Sequence, residues 1–230
     1  SFLLVDKSDS VGGRLRTDYI NGYLLDRGFQ VLFTAYPDTK RELDYESLNL
    51  HEFYPGSLVR INNRFHKVAD PWRKPLNLLN TLRAPIGSLQ DKLKVGLLRR
   101  ALKSKSLNDI FNGEDIQSSQ YLKNLGFSEQ IIQTFFKPLL GGVFGDSELV
   151  TSSIMFEFIF SMMSAGETTL PEKGIQAIPS QMRQSLPHKS TLLNTHVTRV
   201  TGTAIETSSG DHLNADTVIV ATDGPSAETL

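Results

Sequence analysis

The chain has 230 residues, 39% hydrophobic and 21% charged, with a formal net charge of −1 at neutral pH. That is enough chain for a well-buried core in one large or two modest domains, and the charge gives no electrostatic footing for nucleic acid. Cysteine is absent, which excludes disulfides, thiolate nucleophiles and iron–sulfur ligation. No apolar run approaches a bilayer span and no signal peptide is visible. The absence of a targeting segment says little about location; the expectation is cytoplasmic or organelle-soluble, with membrane association as the alternative.

Residues 1–6 read as a buried strand with Asp6 at its tip, followed by a polar stretch and then Gly12-Gly13-Arg14. Residues 22–33 read as one apolar strand with Gly28 inserted, a place where a backbone needs close approach. Residues 53–68 predict a hairpin turning at Asn62-Asn63. A proline-punctuated basic region follows from Asp70 to Ile86.

Leu89, Leu93, Leu97 and Ala101 recur at i, i+4 after Ser88, the spacing of one helix face. A short helix is predicted over 118–126, capped by Ser118 or Ser119 and stopped by Gly126. A longer one over 128–145 should kink or end at Pro138. Residues 152–166 are apolar nearly all round and predict a helix buried between layers. The end returns to short strands, the last of them a buried strand at Thr217–Ala221. The order, β then helical then β, predicts a helical insertion in a domain whose strands come from both ends of the chain.

An acid at a strand tip is where a Rossmann-type domain holds a ribose, because a carboxylate accepts both hydroxyls. The glycine-rich phosphate loop belongs about 20 residues before that acid, so it is expected to lie before Ser1, and the chain reads as a fragment. Paired glycines let backbone amides approach a pyrophosphate, and an arginine neutralises it with a fixed fork of donors.

The segment "VDKSDSVGGRLRT" resembles the one that follows the first βα unit in the flavin-dependent amine oxidase and phytoene desaturase superfamily. Asp6 stands in the place of the family's glutamate, and Gly12, Gly13, Arg14 and Thr17 fall on the rest of its pattern. Ser8 occupies a position that is often basic in the family, where Lys7 compensates. "LLDRGFQVLF" resembles the family's Asp-x-Gly strand beside the flavin ring, through Asp26, Gly28, Phe29 and Gln30. "LPEKGIQAIPSQM" resembles the Pro-x-Gly-Gly segment that leads back to the cofactor domain, with Lys173 replacing the first glycine. "LNTHVTRV" and "ADTVIVATDGP" resemble the returning strands, where the Val197 backbone pairs with adenine and Ala221 and Thr222 end beside the cofactor.

The resemblance implies an α/β fold: an incomplete Rossmann-like FAD-binding domain, residues 1–50 and 186–230, with an inserted α+β substrate domain, mainly helical, at 51–185. It implies FAD as cofactor, held by Asp6, Lys7, Gly12, Gly13, Arg14, Gly28, Phe29, Gln30, Val197, Ala221 and Thr222. The implied activity is an oxidoreductase taking a hydride from an apolar or amine substrate. The family's glycine-rich loop and its C-terminal flavin-binding segment are expected outside this chain, so the fragment is expected to be inactive alone. The alternatives are a flavin-dependent isomerase or mutase of the same fold, and a binding or structural protein without cofactor.

No catalytic acid or base stands out. His51, His66, His188, His196 and His212 show no metal-ligand spacing, so no metal is expected. Basic residues crowd positions 73–105 against one acid, Asp91. The simpler reading is a solvated face with its leucines packed inward. The alternative is peripheral contact with an anionic membrane surface.

Overall fold

The computed structural model describes residues 2–28 and 30–230. The chain divides into two compact units. One comprises Ser1–Gln30, Glu42–Leu50 and Pro171–Leu230, the other Val31–Arg41 and His51–Leu170. Both ends of the chain thus contribute to the first unit. Its third piece starts at Pro171, and within it Gly174 and Pro179 pack against Thr17 and Gly12.

The first unit is built from short strands. Leu4–Val5 runs parallel to Thr191–Leu192, with Leu4 opposite Thr191. Thr17–Ile20 and Tyr23–Asp26 form an antiparallel hairpin. Its turn residues Asn21 and Gly22 both have positive φ, 52° and 86°, the geometry that matches strand twist. Val197–Val200, Ala204–Thr207 and His212–Asn214 form a three-stranded antiparallel sheet in that order.

Two expectations fail in this unit. The single strand over 22–33 is two strands in two sheets. Tyr23–Asp26 ends in the hairpin, Gly28 takes φ 91°, and Leu32–Phe33 pairs with Thr168–Pro171. The glycine breaks the strand, because its left-handed φ is incompatible with a pleated ladder. Residues 217–221 do not form a buried strand either. They have no strand partner among the described residues, and Ile219 is 86% exposed.

In the second unit the hairpin is where the asparagines put it. Gly56–Ile61 pairs with Arg64–Ala69 around Asn62 and Asn63, with φ 48° and 62°. The helices pack around Phe136 and Phe156, both fully buried, with Ile131, Leu122, Leu140 and Leu149. Ser153–Ala165 is the central helix, and Ser152 caps its N-terminus.

Ser118 does not cap the 118–124 helix but lies inside its first turn. There its hydroxyl donates to the Thr151 and Ser152 carbonyls. Pro138 does not end its helix. A π-turn over Ile132–Phe136 precedes it, and the wider turn accommodates a residue without an N–H.

The largest departure concerns the helix Leu89–Ser104. Ser88 and Asp91 form a capping box at its start. Its buried residues are Asp91, Leu98 and Leu102, with Val95 packed against the core. Those positions are i, i+4, i+7 and i+11, one face of the helix. Leu89, Leu93 and Leu97 point the other way and are exposed. The leucines are therefore not packed inward, because the helix has apolar residues on two faces and the core took the other one.

Candidate functional site

The parallel pair Leu4–Val5 and Thr191–Leu192 sets the frame. In open α/β sheets, ligands bind outside the carboxyl ends of such strands. Asp6 is the first residue past that end. Its N–H donates to the Leu192 carbonyl at 3.0 Å and its carbonyl accepts from Thr195 N–H at 3.0 Å. Asn194 N–H donates to the Ser8 carbonyl at 2.9 Å. Loop 6–8 is thereby zipped to loop 192–195. The Asp6 carboxylate is half-buried, and its Oδ1 accepts from Ser8 N–H at 2.8 Å. This turn fixes the side chain and leaves a second oxygen to serve a ligand.

Val197 lies two residues beyond Thr195. It stands opposite Thr207, and the flanking bond runs from Ser208 N–H to the His196 carbonyl. That flanking bond makes Val197–Thr207 a non-hydrogen-bonded pair, so the Val197 N–H and C=O point away from the neighbouring strand. Val197–Val200 is the end strand of its sheet. A donor and an acceptor on one residue are thus presented along this edge. Among the described residues the edge is engaged only further on, where Val200 N–H donates to the Leu230 carbonyl at 3.2 Å. A flat heterocycle edge can pair with such an arrangement.

The glycine pair divides its labour. Gly12, at φ 107°, has no room for a side chain: a Cβ would lie 2.4 Å from Pro179 Cγ. Its backbone is pinned under the Ala177–Gln184 helix. Gly13, at φ 54°, has nothing within 4 Å of its Cβ position and is open to a ligand. Arg14 is exposed and within electrostatic reach of Asp223. Asp223 caps the helix Gly224–Glu228, and its carboxyl is held below the usual range by the Ser226 N–H and hydroxyl, with Arg14 contributing. Arg14 is therefore brought to the stretch containing Ala221 and Thr222, which are exposed beside that cap. Lys7 is exposed with no fixed partner among the described residues.

Gly28 sits at φ 91°, with its Cβ position 3.9 Å from Gln30 Nε2. Gln30 Oε1 is buried and has no hydrogen-bond partner among the described residues. A buried acceptor left without a donor costs free energy, and it fits a site completed by a bound group. Phe29 lies outside the described residues. Those observations, an orphan acceptor, an open glycine and a strand edge unpaired at Val197, fit the adenosine diphosphate and ring portions of a dinucleotide cofactor.

Sequence reasoning missed the pin that aligns this unit. Thr17 Oγ1 donates to Asp26 Oδ1 at 2.5 Å, and Asp26 Oδ1 also accepts from Ile175 N–H at 3.0 Å. Gln176 closes the ring, donating its N–H to Thr17 Oγ1 and accepting the Thr17 N–H through its side chain. Gly174, at φ 81°, lies so close that a Cβ would be 2.4 Å from Thr17 Oγ1. The signal was present in the Pro-x-x-Gly spacing at Pro171–Gly174, but only the fold shows what that glycine faces.

The sequence matches the flavin containing amine oxidoreductase family over residues 1–230. The chain belongs to that family. No curated protein matches it individually. Among solved structures, it is similar to a protein assigned as a protoporphyrinogen oxidase from Exiguobacterium sp. 255-15, with TM-score 0.61 and 17% identity over 98% of this chain and 54% of that one. It is similar to putrescine oxidase bound to putrescine, with TM-score 0.58 and 16% identity over 93% of this chain and 51% of the other. A Rab GDI from Plasmodium falciparum aligns with TM-score 0.55 and 15% identity, covering 93% and 58%. The chain thus spans about half the length of the structures it resembles. At these identities the likeness shows the fold, and the α/β, Rossmann-like assignment agrees with it.

Proposed function

We propose that this chain is the nucleotide-holding and substrate-covering portion of an FAD-dependent oxidoreductase acting on an apolar or amine substrate. The observation that carries this reading is the zipper of loop 6–8 to loop 192–195, which holds the Asp6 carboxylate and the Val197 edge in one frame. Family membership supports the cofactor, and the oxidase relatives support the reaction class.

FAD, when bound, supplies the redox chemistry by accepting a hydride from the substrate. The chain's own residues bind and orient. Asp6 accepts the ribose hydroxyls and, being anionic, disfavours a 2′-phosphate. Gly13 offers its open backbone and Arg14 its guanidinium to the pyrophosphate. Val197 pairs with the adenine edge through its main chain. Gln30 meets the ring with its unpartnered carbonyl, beside Gly28.

The test is a calorimetric titration of the chain with ADP, the adenosine diphosphate half of FAD. Asp6→Asn keeps the bond to Ser8 N–H and removes only the charge. Saturable ADP binding that this variant weakens roughly tenfold to a hundredfold is expected, from loss of a hydrogen bond to an ionised group. Absence of saturable binding, or equal affinity in the variant, contradicts the reading. The second reading is a binding or structural protein without cofactor, and absence of saturable binding would favour it.

A further inference from the structure

The second unit carries an apolar surface that its own core does not use. Leu89, Leu93 and Leu97 are 62%, 69% and 66% exposed along the Leu89–Ser104 helix, and Leu76 and Leu79 are 96% and 61% exposed on the preceding segment. Trp72, 60% exposed, lies across the same helix, its Cη2 3.1 Å from the Cβ position of Gly96. Lys92 ties the two segments together by donating to the Leu82 and Ala84 carbonyls at 2.6 and 2.7 Å. Leu89, Leu93, Leu97 and Trp72 thus share one face of the helix, with the Leu76–Leu79 segment tied to it through Lys92, rather than being scattered surface leucines, which need no explanation.

The exposed charges that this stretch of chain contributes are of one sign. Between Trp72 and Asn108 the only acid is Asp91, and it is buried, accepting from Ser88 and Ser128. Several cations are spent inside the unit. Arg73 and Arg99 hold Asp70 and the carbonyls at the end of the Ser153–Ala165 helix, and Lys105 pairs with Glu157. Lys74, Arg83, Arg100 and Lys103 are exposed and have no ion-pair partner among the described residues. The solvent therefore meets leucines and a tryptophan in a stretch of uncompensated positive charge.

We propose that this face docks peripherally on an anionic lipid surface. An amphipathic helix lying in the plane of a bilayer buries its apolar row at the acyl boundary, while lysines and arginines reach the headgroups. Each cation near such a surface adds attraction that falls off within a Debye length. The apolar residues stand in a row along one helix and the segment tied to it, an arrangement that can enter a fluid interface. Among the described residues no helix is long and apolar enough to cross a membrane, so the contact is peripheral. The inference uses no nucleotide and stands apart from the flavin reading.

Trp72 is the only tryptophan, so its fluorescence reports this patch alone. The experiment mixes the whole chain with vesicles of phosphatidylcholine, or of phosphatidylcholine with phosphatidylglycerol, and includes brominated acyl chains as quencher. A blue shift and quenching of Trp72 are expected with the anionic vesicles, with much weaker partitioning onto neutral ones. R100Q/K103Q should reduce partitioning roughly tenfold or more, and L93S/L97S at least about a hundredfold, with unfolding temperatures unchanged. Unaltered Trp72 emission, equal binding to both vesicle types, or undiminished binding of L93S/L97S would overturn the proposal. So would a concentration-dependent shift without lipid, which would mark a protein–protein face.

Discussion

The two units solve the problem of stability in different ways. The helical unit has a dense core in which Phe136 and Phe156 are fully buried, Phe136 meeting Phe127 edge-on and Phe156 stacking on Phe160. The unit formed from both chain ends has few buried apolar residues, Val11, Leu43, Leu48, Ile175 and Ile178 among those described, and leaves Phe2, Leu3 and Ile219 exposed. Backbone zippers, a threonine–aspartate–glutamine pin and glycines pressed against neighbours define its geometry instead. Packing carries the first kind of unit, and position carries the second. A unit that must present a carboxylate and a strand edge in register needs few large side chains but tolerates little displacement.

The contrast can be broken by substitution. Phe156→Ala in the helical core should lower stability by about 3–5 kcal/mol, read by chemical denaturation; a loss below about 1 kcal/mol would show that the core is not the principal anchor. Gly174→Ala introduces a Cβ at a left-handed φ against Thr17 and Asp26. A cost of about 2–4 kcal/mol is expected, together with weaker ADP binding, because the pin and the nucleotide frame share a unit.

Asp91 sharpens the comparison through pH. Burial pushes its carboxyl up, but hydrogen bonds from the main chains and hydroxyls of Ser128 and Ser88 outweigh that and hold it down at about 2, from an ordinary 3.8. A depressed folded-state value means the stabilisation is complete above the unfolded value and is lost as pH falls toward the folded one. About 2 kcal/mol of stability should therefore disappear between about pH 4 and pH 2. Asp91→Asn should be less stable at neutral pH and lose this part of the acid limb; an unchanged acid limb in the variant would assign it to other groups. The smallest effect belongs to Leu93→Ser. At an exposed position it should change stability by no more than about 0.5 kcal/mol in thermal unfolding.

Local chemistry made part of this legible in the sequence. Asn62-Asn63 specifies its turn by tolerating positive φ, and Ser88 with Asp91 specifies a helix start through a capping box. Asp6 and Gly12-Gly13-Arg14 could be singled out because their residue types suit a nucleotide. What failed depended on long-range choices. Leucines at i, i+4 identify a helix but not which of its apolar faces meets the core. Residues 217–221 have strand propensity but, among the described residues, no strand beside them to pair with. Gly174 reads as a loop residue until Thr17, over 150 positions away by the numbering, is seen against it. Glu157 lies in an apolar run and gives no hint that Lys105 and Tyr121 will meet it.

The central claim is that the two ends of the chain form one nucleotide frame. Amide hydrogen exchange with and without ADP tests it directly. The account predicts that protection rises together in the peptides spanning residues 5–16 and 193–199, and that both changes are lost in Asp6→Asn. Protection confined to one of the two segments, or appearing only within the helical unit, would contradict it.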